Sequence, residues 1–431
     1  MAIALIGFAV LLGLCFLGFR VGFATLIVGF VGFAMLRGWE ASFAMVGQQV
    51  FHDSMNYNLS VIPLFILMGV FIVHAQISKD LYDAAYAALG RFRGGLALAT
   101  VLAAGGFSAV CGSTLATAAT MSKVAMPPMR NYKYSDRLAA GTIAAGGTLG
   151  IMIPPSVPLV IYGLIAEQDI GLLFIAGILP GLLLITLFMI CVGIVVRRDP
   201  LAAPDAPPLE PARKKEAIRG TLPVLILFIV VLGGIYSGAF TATEASGIGA
   251  FGAAVIAVMR GNLRSIGEWR TCLADATVTT ATIFIVLLGA IVFSQFINLS
   301  GMPYDLLDFV DHHELTPFQL VIFVCVIAIL MGMVFEAIGI LVLLVPVFLP
   351  ALQLSGIDMI WFGILVVLVS EIGLITPPIG MNVFVVKSVL PDVKLGAIFR
   401  GVTPYIIALV TGLILVLLVP QIATFLPGLM R

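Results

Sequence analysis

GGTLGIMIPPSVPLVIYG, residues 146–163, sets two adjacent prolines in the middle of an apolar run. A proline inside a helix removes a backbone hydrogen bond and clashes with the preceding turn, at roughly 3 kcal/mol or more. GLITPPIGMN, residues 373–382, repeats the device. Pro154 carries no N–H, so the carbonyl of Gly150 loses its i+4 donor, and Pro155 does the same to Ile151. Pro377 and Pro378 do this to Gly373 and Leu374.

The surroundings make these breaks costly. Of the 431 residues, 61% are hydrophobic and 10% charged, and the mean hydropathy is +1.17. A soluble domain carries about 25% charged residues. The chain therefore reads as an all-α polytopic membrane protein in a lipid bilayer. The net charge of zero gives no sign of a nucleic-acid partner. Cys15, Cys111, Cys191, Cys272 and Cys325 form no CxxC pair, so neither disulfides nor a metal centre are expected from them. The first run, Ala2–Phe19, lacks a basic leader and reads as a retained span.

Apolar runs fall at 2–19, 20–37, 59–78, 94–127, 137–165, 172–196, 221–238, 242–259, 275–297, 317–350, 356–389 and 403–427. Spans require about 20 residues. The runs 94–127 and 317–350 are too long for one span and short for two. Cytoplasmic loops carry excess Lys and Arg. The polar linker 197–220 holds Arg197, Arg198, Arg213, Lys214, Lys215 and Arg219 and is placed in the cytoplasm. Segment 298–316 has no Lys or Arg and falls outside, whereas 260–270 falls inside with Arg260, Arg264 and Arg270. Both flanks of 94–127 are basic, so this run enters and returns from the cytoplasmic side as a re-entrant hairpin. The run 317–350 reads as a hairpin from outside. Two short full spans per run would keep the same parity, and Arg37 runs against the count.

A shift of about 222 residues superposes the two halves. GIMIPPS lies over GLITPPI, LFILMGVFIV (64–73) over FIVLLGAIVF (284–293), and Pro128 near Pro350, where each proline would close its hairpin. The halves, 1–196 and 221–431, then hold about five spans and one hairpin each and run oppositely through the membrane. Such inverted repeats with Pro-broken helices at the midplane characterise secondary transporters. Freed carbonyls at a half-helix C-terminus carry partial negative charge and suit a small hard cation such as Na⁺. The resumed helices present N–H ends that suit an anion. The hairpin tips add the small, hydroxyl-rich FSAVCGSTLATAAT (107–120) and MVFEAIGI (333–340). Each tip is expected to meet the break of its own half.

The quieter readings stand beside these. Ser108 and Thr120 suit simple i−4 carbonyl bonds, Lys123 suits snorkelling, and His52, His74, His312 and His313 suit the interface. Glu244 in TATEAS serves equally as a helix cap. Intramembrane acids are functional candidates by default, which singles out Glu336 and Glu371.

CGSTLATAAT with MPPM, GGTLGIMIPPSVPLVIYG, FTATEAS and GLITPPIGMN together resemble the large, DctM-type membrane subunit of tripartite ATP-independent periplasmic (TRAP) transporters, over essentially the whole chain. The resemblance implies a sodium-driven, elevator-type importer of organic anions in a bacterial inner membrane. Its partners would be a separate small four-helix DctQ-type subunit and a periplasmic DctP-type binding protein. It implies one sodium site at Cys111, Ser113, Gly150, Ile153 and Pro155, and a second at Ala337, Gly373, Thr376 and Pro378. Many relatives have Ser at the position of Cys111, and Asp at that of Glu336. Thr114, Ser156 and Asn382 are the substrate candidates by position. Na⁺ is the expected coupling ion, with no organic cofactor. The alternative is a proton-coupled or uncoupled anion transporter of the wider superfamily. A channel would not need two separate breaks in one chain, and no HExxH, paired-aspartate or P-loop motif points to an enzyme or an ATP-driven pump.

Overall fold

A computed structural model describes residues 2–205, 207 and 211–430. Part of the polar linker, residues 206 and 208–210, lies outside the described residues. The first half contains α1 (Ala2–Phe16), α2 (Val21–Arg37), α3 (Trp39–Met55), α4 (Val61–His74), α5 (Ile77–Leu89), α6 (Gly95–Cys111), α7 (Thr114–Asn131), α8 (Asp136–Met152), α9 (Val157–Ile165) and α10 (Ile170–Arg198). The second contains α11 (Pro211–Tyr236), α12 (Ala242–Met259), α13 (Ile266–Leu299), α14 (Met302–His312), α15 (Pro317–Gly332), α16 (Ala337–Leu354), α17 (Met359–Ile375), α18 (Met381–Val389), α19 (Leu395–Leu418) and α20 (Gln421–Gly428). No strand occurs among the described residues, and eight helical stretches there are long and apolar enough to cross a membrane.

Polar residues start the long helices. Ser135, Asp169 and Asp358 accept backbone N–H bonds at the heads of α8, α10 and α17. Thr241 with Glu244, Ser265 with Glu268, and Thr316 with Gln319 form reciprocal capping boxes at α12, α13 and α15. Glu244 therefore caps its helix: it accepts the Thr241 N–H at 2.9 Å while Thr241 Oγ1 accepts the Glu244 N–H at 3.2 Å.

In lipid there is little hydrophobic drive between helices, so small residues that permit close packing decide which helices pair. Gly22 and Gly29 lay α2 on the backbone of α13 at Val286 and Phe293. Gly141 of α8 lies on Gly401 of α19. The hairpins are α6–α7 and α15–α16, and the broken helices are α8–α9 and α17–α18. Both breaks contain a cis proline bond, Pro154–Pro155 and Pro377–Pro378.

The two halves interlock reciprocally. α9 packs on α16 of the other half, α18 packs on α7, and α8 meets α17 between them. This is the contact pattern of a pseudo-two-fold, in which each half offers the other the same surfaces. Side chains tie the seam: Tyr162 donates to the Met359 carbonyl at 2.5 Å, and Thr142 Oγ1 lies 2.6 Å from the Tyr405 hydroxyl. At one end, Arg130 forks onto Asp136 at 3.1 and 3.3 Å and also pairs with Asp392 of the second half.

One expectation needs correcting. Pro128 and Pro350 do not close the hairpins. Pro127 and Pro128 lie inside α7, which continues to Asn131, and Pro346 and Pro350 lie inside α16. Each proline forfeits only its own N–H, and later amides carry the helix on.

Candidate functional site

The first break is extended backbone between two helices. Ile153 (φ −83°, ψ 119°) ends α8 and Ser156 (φ −128°, ψ 126°) precedes α9. The Ile153 amide still reaches Leu149 at 3.2 Å. Of the two carbonyls that the prolines free, that of Ile151 is taken: the Ser156 hydroxyl donates to it at 2.5 Å. Gly150 keeps a carbonyl with no i+4 amide to meet it.

The tip of the first hairpin lies on this break. Gly112 (φ +63°) turns the chain, and Ser113 caps α7 by accepting the Ala116 N–H at 3.4 Å. A methyl group placed on Gly150 would stand 3.0 Å from the Ser113 carbonyl carbon and 3.1 Å from the Ser113 oxygen and the Thr114 nitrogen. A methyl group on Gly112 would stand 3.2 Å from the Pro155 oxygen. Ser113, Gly150 and Pro155 are thus held together. Cys111 ends α6 on the same tip, with its carbonyl against Gly69 of α4. Ile153 sends its side chain toward Gly105 of α6 and Gly181 of α10, which leaves its backbone at the break.

The second half repeats the arrangement with different atoms. Gly373 lies against Gly332 at the end of α15, and Ala337 begins α16 just beyond. The Thr376 amide returns to the Gly373 carbonyl at 3.1 Å, and the Thr376 hydroxyl donates to Ile372 at 2.5 Å. The Gly373 carbonyl is therefore not wholly released; one lone pair is used and one remains. Pro378 leaves the Leu374 carbonyl without its i+4 amide. Each tip meets the break of its own half, as the sequence suggests. Gly332, which makes that contact in the second half, was not singled out in the sequence, although it stands 220 residues after Gly112.

Thr114 and Asn382 come together across the two halves. A methyl group on Gly147 would lie 3.1 Å from the Thr114 carbonyl and 3.2 Å from Asn382 Nδ2. The Asn382 amide donates to Ala144 at 3.4 Å, and its Oδ1 has no hydrogen-bond partner. Both residues are buried, Asn382 fully. Ser156 serves the first break instead, through its bond to Ile151. Ser108 bonds the Thr117 hydroxyl across the hairpin at 3.4 Å rather than an i−4 carbonyl.

A cavity of about 1550 Å³ lies elsewhere. It is lined by α3, α4 and α13 on one side and by the α9–α10 turn and α16 on the other, including Asp53, Asn58, Gln168, Asn298, Pro346 and Pro350. None of the sequence-predicted site residues lines it. By the charge count of the loops, every lining segment lies toward the outside.

Residues 8–422 match the family described as the tripartite ATP-independent periplasmic transporter, DctM component. The chain is similar to the C4-dicarboxylate TRAP transporter large permease protein DctM of Pseudomonas aeruginosa, at 36% identity over 88% of each chain. It is 32% identical over 97% of each chain to the sialic acid TRAP transporter large permease protein SiaM of Vibrio cholerae. It is likewise 32% identical over 97% of each chain to the ectoine TRAP transporter large permease protein TeaC of Halomonas elongata. Among solved structures, the Alcanivorax borkumensis YdaH transporter shares the fold, with a TM-score of 0.63 over 88% of each chain at 17% identity. The chain belongs to the DctM family, the large permease components of tripartite ATP-independent periplasmic transporters.

Proposed function

We propose that this subunit imports an organic anion by Na⁺-coupled secondary transport in a bacterial inner membrane. The coarser function follows from the family: a multi-pass membrane permease, not an enzyme, that takes up an organic solute together with a periplasmic binding protein. The third member is a small DctQ-type membrane subunit. The observation that carries the sodium reading is the meeting of each hairpin tip with the broken helix of its own half, at Ser113–Gly150 and Gly332–Gly373. Each meeting gathers backbone carbonyls and a hydroxyl, hard oxygen ligands of the kind an alkali cation takes. Cys111, Ser113, Gly150, Ile153 and Pro155 would form one site; Ala337, Gly373, Thr376 and Pro378 the other. A thiol is soft for Na⁺, so Cys111 would contribute its carbonyl. Thr114 and Asn382 would face the solute from the two resumed or starting helices, with Ser156 acting indirectly by holding the first break.

The outer cavity supports an elevator-type movement. It separates α3, α4 and α13 from α16 and the α9–α10 turn, and it gives the hairpin part room to travel outward. An organic anion is in keeping with the named solutes of relatives, C4-dicarboxylate and sialic acid, although a third relative is named for ectoine.

The test is uptake into proteoliposomes that hold the complete complex, with binding protein and solute outside. Uptake should require an inward Na⁺ gradient. Uptake that ignores Na⁺ and follows a proton gradient would overturn the coupling.

A further inference from the structure

The outer cavity is bordered on α16 by Pro346, Leu349 and Pro350. Under the shift of about 222 residues that relates the two halves, their counterparts on α7 are Val124, Pro127 and Pro128. The inverted repeat turns this face of α16 outward, so it turns the same face of α7 toward the cytoplasm. Where α16 has the buried, apolar Val345, α7 has Lys123.

The face of α7 around Lys123 is uncovered. Lys123 and Pro127 are exposed, and Ala116, Ala119 and Thr120 are half-buried, in a stripe of helical spacing that starts near the hairpin tip. No large apolar side chain of α7 is exposed. Helices that meet lipid look different: α10 exposes Leu182, Ile190 and Ile194, and α11 exposes Leu222, Leu225 and Ile229. A snorkelling lysine lies along an apolar surface of that kind. A charged side chain among small and polar neighbours marks a water-filled path instead.

Lys123 is also uncommitted. No ion pair or hydrogen bond takes its ammonium among the described residues. Nearby charges are engaged: Asp136 and Asp392 pair with Arg130, and Asp80 pairs with Arg260. Asp83 stands beside Lys79 and Arg213, and Lys387 donates to the Pro391 and Val393 carbonyls. Lys123 lies about 14 Å along the helix from Thr114, on the way to the basic cytoplasmic end at Arg130 and Lys133. The outer cavity has the opposite bias. Asp53, Glu167 and Asp169 line it, and no Lys or Arg does among the described residues.

We propose that Lys123 steers the solute anion along the inner pathway. Its ammonium meets the carboxylate or sulfonate after the solute leaves Thr114 and Asn382, and draws it toward the cytoplasm. This rests on the reading of the solute as an organic anion and adds a residue on its way out. A lysine in contact with water carries its ammonium at neutral pH. A compact point charge on a flexible stem attracts an anion without the forked geometry that would hold it fast. With acids on the outer cavity and a cation on the inner stripe, the energy of an anion falls as it moves inward.

The experiment uses a single reporter thiol, Thr120→Cys, one turn from Lys123 on the same face, in the complete complex without the native thiols. Inside-out membrane vesicles are treated with an anionic sulfonatoethyl or a cationic trimethylammonioethyl methanethiosulfonate, and the two rates are compared. The anionic reagent should react faster, by roughly tenfold. The preference should vanish in Lys123→Gln, reverse in Lys123→Glu and persist in Lys123→Arg. A preference that is the same in Lys123→Gln overturns the proposal and leaves the anion reading standing. So does a reporter that neither reagent reaches, at 120 or, in a second variant, Pro127→Cys, since that face would then lie in lipid. Wild-type proteoliposomes that accumulate only cationic solutes overturn the anion reading, and this role with it, whatever the reagent rates.

Discussion

Gly332 and Gly373 face each other with no side chain between them: a methyl group on Gly332 would stand 3.0 Å from the Gly373 Cα, and one on Gly373 would run into the Gly332 backbone. The second hairpin is seated on its break by this absence. Substitution of Gly373 by Ala should push the tip off α17. Overpacking of this kind costs about 1–3 kcal/mol. The expected outcome is a folded protein with a lowered melting temperature and abolished uptake. Unchanged uptake would show that the tip need not seat there.

Thr376→Ala removes a hydroxyl from the second break while the Thr376 amide bond to Gly373 is retained. The half-saturating Na⁺ concentration should rise roughly tenfold, equivalent to about 1.4 kcal/mol. Thr376→Ser, which keeps the oxygen, should restore it. A sodium dependence identical in all three proteins would remove Thr376 from the site.

Arg130 joins the α7–α8 turn to the α18–α19 loop through Asp136 and Asp392. The Arg130 guanidinium holds the Asp392 carboxyl below its ordinary value. A lowered carboxylate contributes stability that is fully present above its ordinary range and disappears as pH falls through the lowered value. Asp392→Asn should therefore lower the melting temperature modestly at neutral pH and make no difference in strong acid. High salt should shrink the neutral-pH effect, because the pair is exposed. A difference that grows toward acid would contradict the sign.

The orientation is testable without transport. Single cysteines at 298–316 should react with an impermeant reagent added outside intact cells, and cysteines at 260–270 only after permeabilisation, in a background without the native thiols. The reverse pattern would invert the charge reading.

Much of this fold was legible because the sequence breaks its own rules in two places. Paired prolines in an apolar run, repeated at a fixed shift, point to the broken helices and to the hairpins beside them. The helices α3, α5 and α14 were missed, since a search for continuous apolar runs passes over helices that mix polar and apolar residues. Ser42 is the one buried residue of α3. The site was legible by position and not by bonding. A proline fixes which amide is missing, but not what replaces it. Hence the Ser156 hydroxyl on Ile151 and the Thr376 amide on Gly373 emerge only from coordinates. Glu371 was visible as an intramembrane acid, but that neither of its oxygens finds a hydrogen-bond partner depends on eight surrounding helices, and no local pattern encodes it.

The reciprocal packing of α9 on α16 and α18 on α7 carries a consequence for how such a chain is made. Neither half has a finished surface of its own, since each lends a short helix to the other and receives one back. A single half would need a second copy inserted upside down to complete it. The fused chain is an antiparallel pair tied by one covalent thread.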